Sequence, residues 1–193
     1  MFWQEAAQSV RGAWRLALLD PNGMAAFNLS LDGFWRSFLV YLYLAPVYLL
    51  LVLSAGNFPT VSTETVLLAK LVSYAARIVG STLLMALLCY LLNAGERFVA
   101  LIVACNWATV LQLALMLVVT ILVTRLPLGR AGDLLQASAT IAILFYAWFI
   151  TRTALGVGVL AAIGVIAADT LLSELIGLGL DRLFGLVPLV VNR

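Results

Sequence analysis

Long apolar stretches dominate this chain and constrain its fold more than any other feature. One of them, LLMALLCYLL, covers Leu83 to Leu92, and another continues from Val110 to Val123 with only Gln112 and Thr120 as polar residues. The composition is 64% hydrophobic and 10% charged, whereas a soluble domain carries about 25% charged residues. The apolar stretches are continuous rather than alternating, which excludes a membrane β-barrel. We therefore predict an all-α polytopic membrane protein.

The number of spans follows from the length of the apolar stretches, because about 20 helical residues cross a bilayer. Five spans are predicted, and together they form a transmembrane bundle over residues 34–193, which follows an amphipathic membrane-surface segment at residues 1–33. Their approximate bounds are 34–53, 66–92, 97–124, 134–153 and 156–176. The course of residues 177–193 stays open, since LFGLVPLVV is too short to cross alone.

Five spans place the two termini on opposite sides of the membrane. We name the N-terminal side "side I" and the other "side O". Lysines and arginines of short loops normally lie on the cytoplasmic side. Counted over the loops, they slightly favour a cytoplasmic N-terminus.

The N-terminal segment has the periodicity of an amphipathic helix. Its apolar positions recur at helical spacing, and the polar ones occupy the rest of the surface. Such a helix commonly lies in the plane of the lipid headgroups, and the alternative is that it packs on the loops of the bundle. The candidate membrane-surface anchors are Trp3, Arg11, Trp14 and Arg15.

Polar residues inside the predicted spans form a candidate intramembrane layer. They are Arg77, Asn106, Gln112, Asp169 and Glu174. Counting 1.5 Å per residue from each end places Arg77, Gln112 and the two acids at comparable depth, and Asn106 nearer side I. A lone charge at such a depth costs at least about 2.5–3.5 kcal/mol, so each charge needs a partner. We predict that Arg77 pairs with Asp169 or Glu174, and that Gln112 or Asn106 completes the hydrogen bonds.

Two interpretations of this layer remain. The ionisable residues can line a path for a substrate, an ion or a proton, or they can form a buried pair that fixes helix order and register. We favour the structural interpretation because the sequence predicts one layer rather than a relay across the bilayer.

Several function classes find no support in the sequence. The chain contains no histidine, no nucleophile elbow and no phosphate-binding glycine loop, so we expect no enzymatic activity. The net charge is +2 without a long basic run, which speaks against nucleic acid as a partner. Cys89 and Cys105 lie in apolar stretches without metal-ligand spacing, so neither a metal nor another cofactor is expected.

The segment LLDPNGMAAF, Leu18 to Phe27, resembles the Asp-Pro segment that precedes the first helix of bacterial Yip-like proteins. The five spans and short loops are also similar to the organisation of the Yip family. The resemblance implies a five-helix bundle in a bacterial inner membrane that acts through protein or lipid partners. The Asp-Leu-Tyr-Gly-Pro signature of eukaryotic members is absent, and CNWATVLQ stands in place of their Tyr-Gly-Tyr type of sequence. Their Rab-GTPase partnership is therefore not expected here.

Two hypotheses about function follow. The first is a non-enzymatic, Yip-like accessory or scaffold protein that contacts the lipid bilayer and a protein partner or a second copy of itself. The alternative is a small transporter or channel component that uses Arg77, Asp169 and Glu174.

Overall fold

The computed structural model describes residues 2–55 and 61–186, and every regular element in these two ranges is a helix. Seven α-helices are α1 Phe2–Ala17, α2 Leu31–Ser37, α3 Leu39–Ala55, α4 Thr63–Leu91, α5 Phe98–Arg125, α6 Arg130–Leu155 and α7 Val159–Leu183. Short 3₁₀ helices occupy Pro21–Ala26 and Gly95–Arg97. Residues 56–60, between the first two spans, and the C-terminal residues 187–193 lie outside the described residues.

Five helical stretches within the described ranges are long and apolar enough to cross a membrane. The first consists of α2 and most of α3 over Leu31–Leu53, and the other four correspond to α4, α5, α6 and α7. The prediction of an all-α polytopic bundle with five spans is confirmed.

Helix α7, which is the predicted fifth span, differs most from its predicted bounds, since it extends to Leu183 instead of ending near residue 176. The prediction treated the Gly-rich sequence after Ile176 as a stop, but glycine is tolerated in membrane helices. The extension places Asp181 on α7, where it meets a lysine of α4. Helix α6, which is the predicted fourth span, also begins earlier than predicted, at Arg130. Asp133 lies in its first turn, where a carboxylate interacts favourably with the helix dipole.

Helix α5 is the centre of the bundle and touches α1, α2, α3, α4 and α6. Its side-I half is buried through Leu101, Val103, Ala104 and Ala108. The longest pairing outside α5 joins α4 to α7. There Gly80 lies against Leu172 and Ile176, so a small residue lets the two backbones approach each other.

Helix α1 packs on the bundle with one face and exposes the remainder. Ser9, Ala13 and Leu16 are buried, and Ala13 and Leu16 belong to a core that α5 and α6 share. The Tyr146 hydroxyl of α6 donates a hydrogen bond to the Ala13 carbonyl over 2.7 Å. Packing on the bundle was the alternative to a position in the headgroup plane, and the two are compatible because they concern different faces of the helix.

Candidate functional site: the intramembrane polar residues

Asn106 is the best-connected member of the predicted layer. Its side chain is buried on α5, where the Tyr41 hydroxyl donates to Oδ1 over 2.9 Å and Nδ2 donates to Ser37 Oγ over 2.8 Å. The Ser37 hydroxyl in turn donates to the Phe34 carbonyl, and Tyr74 of α4 donates to the Tyr41 carbonyl. Asn106 therefore fastens α5 to α2 and α3, close to the break between those two helices.

Asp169 and Gln112 meet Asn106 at an internal cavity of about 140 Å³. Asp169 accepts a hydrogen bond from Ser81 of α4, with 2.6 Å between Ser81 Oγ and Oδ1. Gln112 lies one to two turns along α5 from Asn106 and also lines the cavity. Three of the five predicted residues are thus brought together around one space.

Arg77 does not form the predicted ion pair with Asp169 or Glu174. Its guanidinium lies over Gly177 of α7, where an added Cβ would overlap it, and its Nε is buried without a hydrogen-bond partner in the described part of the chain. Gly177 lies eight residues beyond Asp169, which is about 12 Å along the helix axis, so the carboxylate is out of reach. The predicted pairing is therefore wrong.

Glu174 is also separated from the other layer residues. Its side chain is exposed and lines an apolar groove of about 770 Å³ between α6 and α7. Phe145, Trp148 and Ala167 line the same groove, which opens away from the bundle. Glu174 belongs to the outer surface of the protein rather than to an internal layer.

The ion pair that does join α4 to α7 is Lys70 with Asp181. Lys70 Nζ lies 2.7 Å and 2.8 Å from the two carboxylate oxygens, and both side chains are mostly buried. The sequence prediction missed this pair because it ended the fifth helix before Asp181. Lys70 belonged to a recognisable polar stripe with Arg77 and Ser81, and that stripe was a signal that α4 faces polar groups.

Replacing Asp181 with asparagine is expected to lower the free energy of unfolding by about 1–3 kcal/mol, because the lysine charge is left without its carboxylate in a mostly buried position. Chemical unfolding in detergent measures the change. Asp133→Asn, which removes an exposed carboxylate from the first turn of α6, is the control and is expected to change stability by less than about 1 kcal/mol, the contribution of a charge at a helix end. Equal losses in both variants would contradict the assignment of Lys70 and Asp181 as a stabilising pair.

The four predicted surface anchors lie on the exposed part of α1. Trp3 and Trp14 are 72% and 57% exposed, and the Trp3 ring contacts Tyr43 of α3 with 5.8 Å between centroids. Arg11 is exposed, whereas Arg15 forms an ion pair with Asp20 at 2.6 Å. Hydrogen bonding from Arg15 holds the pKa of the Asp20 carboxyl below its ordinary value. The tryptophans occupy one sector of the exposed surface and the arginines the adjacent one.

Sequence reasoning missed Ser37 and Tyr41 as members of the polar centre. Ser37 and Tyr41 lie near the start of the first span, where serine and tyrosine are ordinary residues of the membrane interface. No spacing in the sequence indicates that the bend between α2 and α3 turns Ser37 and Tyr41 toward Asn106. Thr109 shares a face of α5 with Gln112 by helical spacing, and the structure places both in the cavity wall.

No protein-family model matches the chain, and neither a curated protein nor a solved structure does.

Proposed function

We propose that this protein is a non-enzymatic, Yip-like accessory or scaffold subunit that binds a transmembrane helix of a partner protein between α6 and α7. One observation carries the proposal, namely the exposed carboxylate of Glu174 in an apolar, lipid-facing groove. The organisation that resembles the Yip family supports it, since that family acts through protein or lipid partners.

The depth of Glu174 makes its exposure costly without a partner. Glu174 lies nine residues before the end of α7 at Leu183 and seven before Asp181, which places it about 10 Å further into the membrane than the Lys70–Asp181 pair. A carboxylate in hydrocarbon costs several kcal/mol unless it is neutralised or paired. In the part of the chain that the structure describes, Glu174 has neither an ion pair nor a hydrogen bond.

The chemistry of the groove indicates what the partner carries. From Val159 to Glu174 the α7 wall is about 22 Å long, which matches roughly four turns of a second helix. The other lining side chains are mainly apolar and suit an apolar helix, while Glu174 suits a lysine or arginine at one position of that helix. The indole Nε1 of Trp148, in the same wall, is buried and lacks an acceptor among the described residues. We therefore infer that the partner is an apolar helix with one basic residue.

The surroundings of the charged residues favour this proposal over a transporter. Arg77 lies over Gly177, Asp169 faces the internal cavity and Glu174 faces the lipid-exposed groove. A transporter that used all three together would need them around one path.

Helix α1 completes the proposal at the membrane surface. Its tryptophan sector suits the acyl-chain boundary and its arginine sector suits anionic headgroups, while its third side holds it to the bundle. With the cytoplasmic N-terminus that the loop charges favour and the bacterial inner membrane that the resemblance implies, this surface is the cytoplasmic face of that membrane.

A photocrosslinking amino acid at Ala167, inside the groove, tests the proposal in native membranes. Leu83 of α4 is the matched control, because it is 66% exposed, lies outside the groove and is also eight residues from the side-I end of its helix. We expect Ala167 to yield a crosslinked peptide that is apolar and contains one lysine or arginine, and Leu83 not to yield it. In the Glu174→Gln background this adduct is expected to fall at least tenfold, since a lost charge pair at an interface costs about 2 kcal/mol or more.

Three results would overturn the proposal. They are adducts with lipid alone, the same peptide from Leu83 and Ala167, and an adduct yield that Glu174→Gln leaves unchanged. An adduct formed with a second copy of this chain would show that the groove binds another copy of this protein rather than a helix of a different partner.

A further inference from the structure

The internal cavity at the centre of the bundle has a lining that the proposed partner groove does not use. It is enclosed by residues of α3, α4, α5, α6 and α7, and its volume of about 140 Å³ leaves room for several water molecules. Half of its lining is polar, although it lies within the membrane-spanning part of the bundle. The polar residues are Tyr41, Ser81, Thr82, Asn106, Thr109, Gln112 and Asp169.

The hydroxyl hydrogens of this lining are already used within the protein. Thr82 donates to the Ile78 carbonyl over 2.8 Å, and Thr109 donates to the Cys105 carbonyl over 3.1 Å. Ser81 donates to Asp169, and Tyr41 donates to Asn106. Because each hydroxyl has one hydrogen and two lone pairs, these four oxygens can offer only lone pairs to the cavity.

The charged side chain in the cavity wall is negative, so it adds to the electron-rich oxygen lone pairs that already face the cavity. Asp169 is the one charged residue that lines the cavity, and only its Oδ1 accepts a hydrogen bond from the described residues. The nearest arginine on α4 is Arg77, one turn from Ser81 toward side O, and its guanidinium lies over Gly177 rather than in the cavity wall. The cavity therefore combines one carboxylate with several neutral oxygens.

We propose that this cavity binds one small alkali cation, with Asp169 as the charged ligand and oxygens of Ser81, Thr109 and Gln112 completing the shell. Oxygen ligands suit such hard cations. A single carboxylate balances one positive charge, whereas a divalent ion would leave a net charge in the low-dielectric interior, which is strongly unfavourable. The site goes beyond the proposed function, since among the described residues only Ile166 lines both the cavity and the partner groove.

Thermal unfolding of the purified protein in detergent tests the site, with NaCl, LiCl or KCl compared against choline chloride at equal ionic strength and fixed pH. At least one alkali chloride is expected to raise the melting temperature in a saturable way, because an ion that binds only the folded state stabilises it. Titration calorimetry with the same salt then gives the dissociation constant.

Asp169→Asn keeps the side-chain shape and removes the charge, and it is expected to weaken cation binding at least tenfold. Glu174→Gln removes a carboxylate from the same helix outside the cavity, and it is expected to leave the dissociation constant unchanged. Thr109→Val retains the carboxylate and is expected to weaken binding by a smaller factor, so the site stays testable even if Asp169→Asn does not fold.

The proposal is overturned if no alkali chloride exceeds choline chloride, if Asp169→Asn responds as the unmodified protein does, or if Glu174→Gln and Asp169→Asn lose binding equally. None of these results bears on the partner groove, which the crosslinking experiment tests separately.

Discussion

Replacing Asn106 with leucine is expected to lower the free energy of unfolding by about 2–4 kcal/mol. The substitution removes two side-chain hydrogen bonds, from Tyr41 and to Ser37, and hydrogen bonds between membrane helices contribute about 0.6 kcal/mol on average and up to about 1.7 kcal/mol each. It also leaves the Tyr41 hydroxyl without its acceptor, and an unsatisfied buried polar group typically costs about 1–3 kcal/mol.

Reversible unfolding in detergent, with choline chloride in place of alkali salts so that no cation is bound, measures the effect of Asn106→Leu. The matched control is Gln112→Leu, on the same helix and in the same cavity wall, where the glutamine has no side-chain hydrogen bond within the described ranges. We expect the control to change stability by less than about 1 kcal/mol. A control that is as destabilising as Asn106→Leu would show that Asn106 does not fasten α2 and α3 to α5.

Replacing Gly23 with valine is expected to release α1 from the bundle at a cost of at least about 2 kcal/mol. Gly23 and Gly12 face each other where the first 3₁₀ helix crosses α1, and a Cβ on Gly23 would lie 2.6 Å from the Gly12 carbonyl oxygen. A Cβ on Gly12 would lie 2.8 Å from the Gly23 carbonyl oxygen, so neither position accepts a larger side chain without a backbone shift.

Trypsin cleavage after Arg11 and Arg15 measures the release of α1, and we expect Gly23→Val to accelerate it at least tenfold. Gly164→Val is the control, because an added Cβ at Gly164 meets nothing within 4 Å. Unchanged cleavage in Gly23→Val would mean that α1 is held by contacts other than this glycine crossing.

The five spans could be predicted from the sequence because apolar length alone identifies them. The ends of the spans could not be predicted in this way. Glycine and charged residues can end a helix at the membrane surface, but the helix continues through them when they have partners. The sequence after Ile176 illustrates this, because Lys70 of a distant helix lets α7 continue through Asp181.

The sequence predicts how deep the polar residues lie in the membrane, but not which way each of them faces. Counting residues along each helix places Gln112 and Asp169 at similar levels and Asn106 nearer side I, and the structure brings all three to one cavity. The same count placed Arg77 and Glu174 there, but it contains no information on how α4 and α7 are rotated about their axes. The Arg77 guanidinium lies over Gly177, where no side chain blocks it, and Glu174 faces outward.

A charge-reversal experiment tests whether Glu174 pairs with a partner helix in the α6–α7 groove. Glu174→Lys is combined with replacement of the basic residue in the crosslinked partner peptide by glutamate, and the yield of the Ala167 adduct is measured for all four combinations. Each single reversal is expected to lower the adduct at least tenfold, and the double reversal is expected to restore it. Equal yields in all four combinations, or no recovery in the double reversal, would contradict a charge pair between Glu174 and a partner helix.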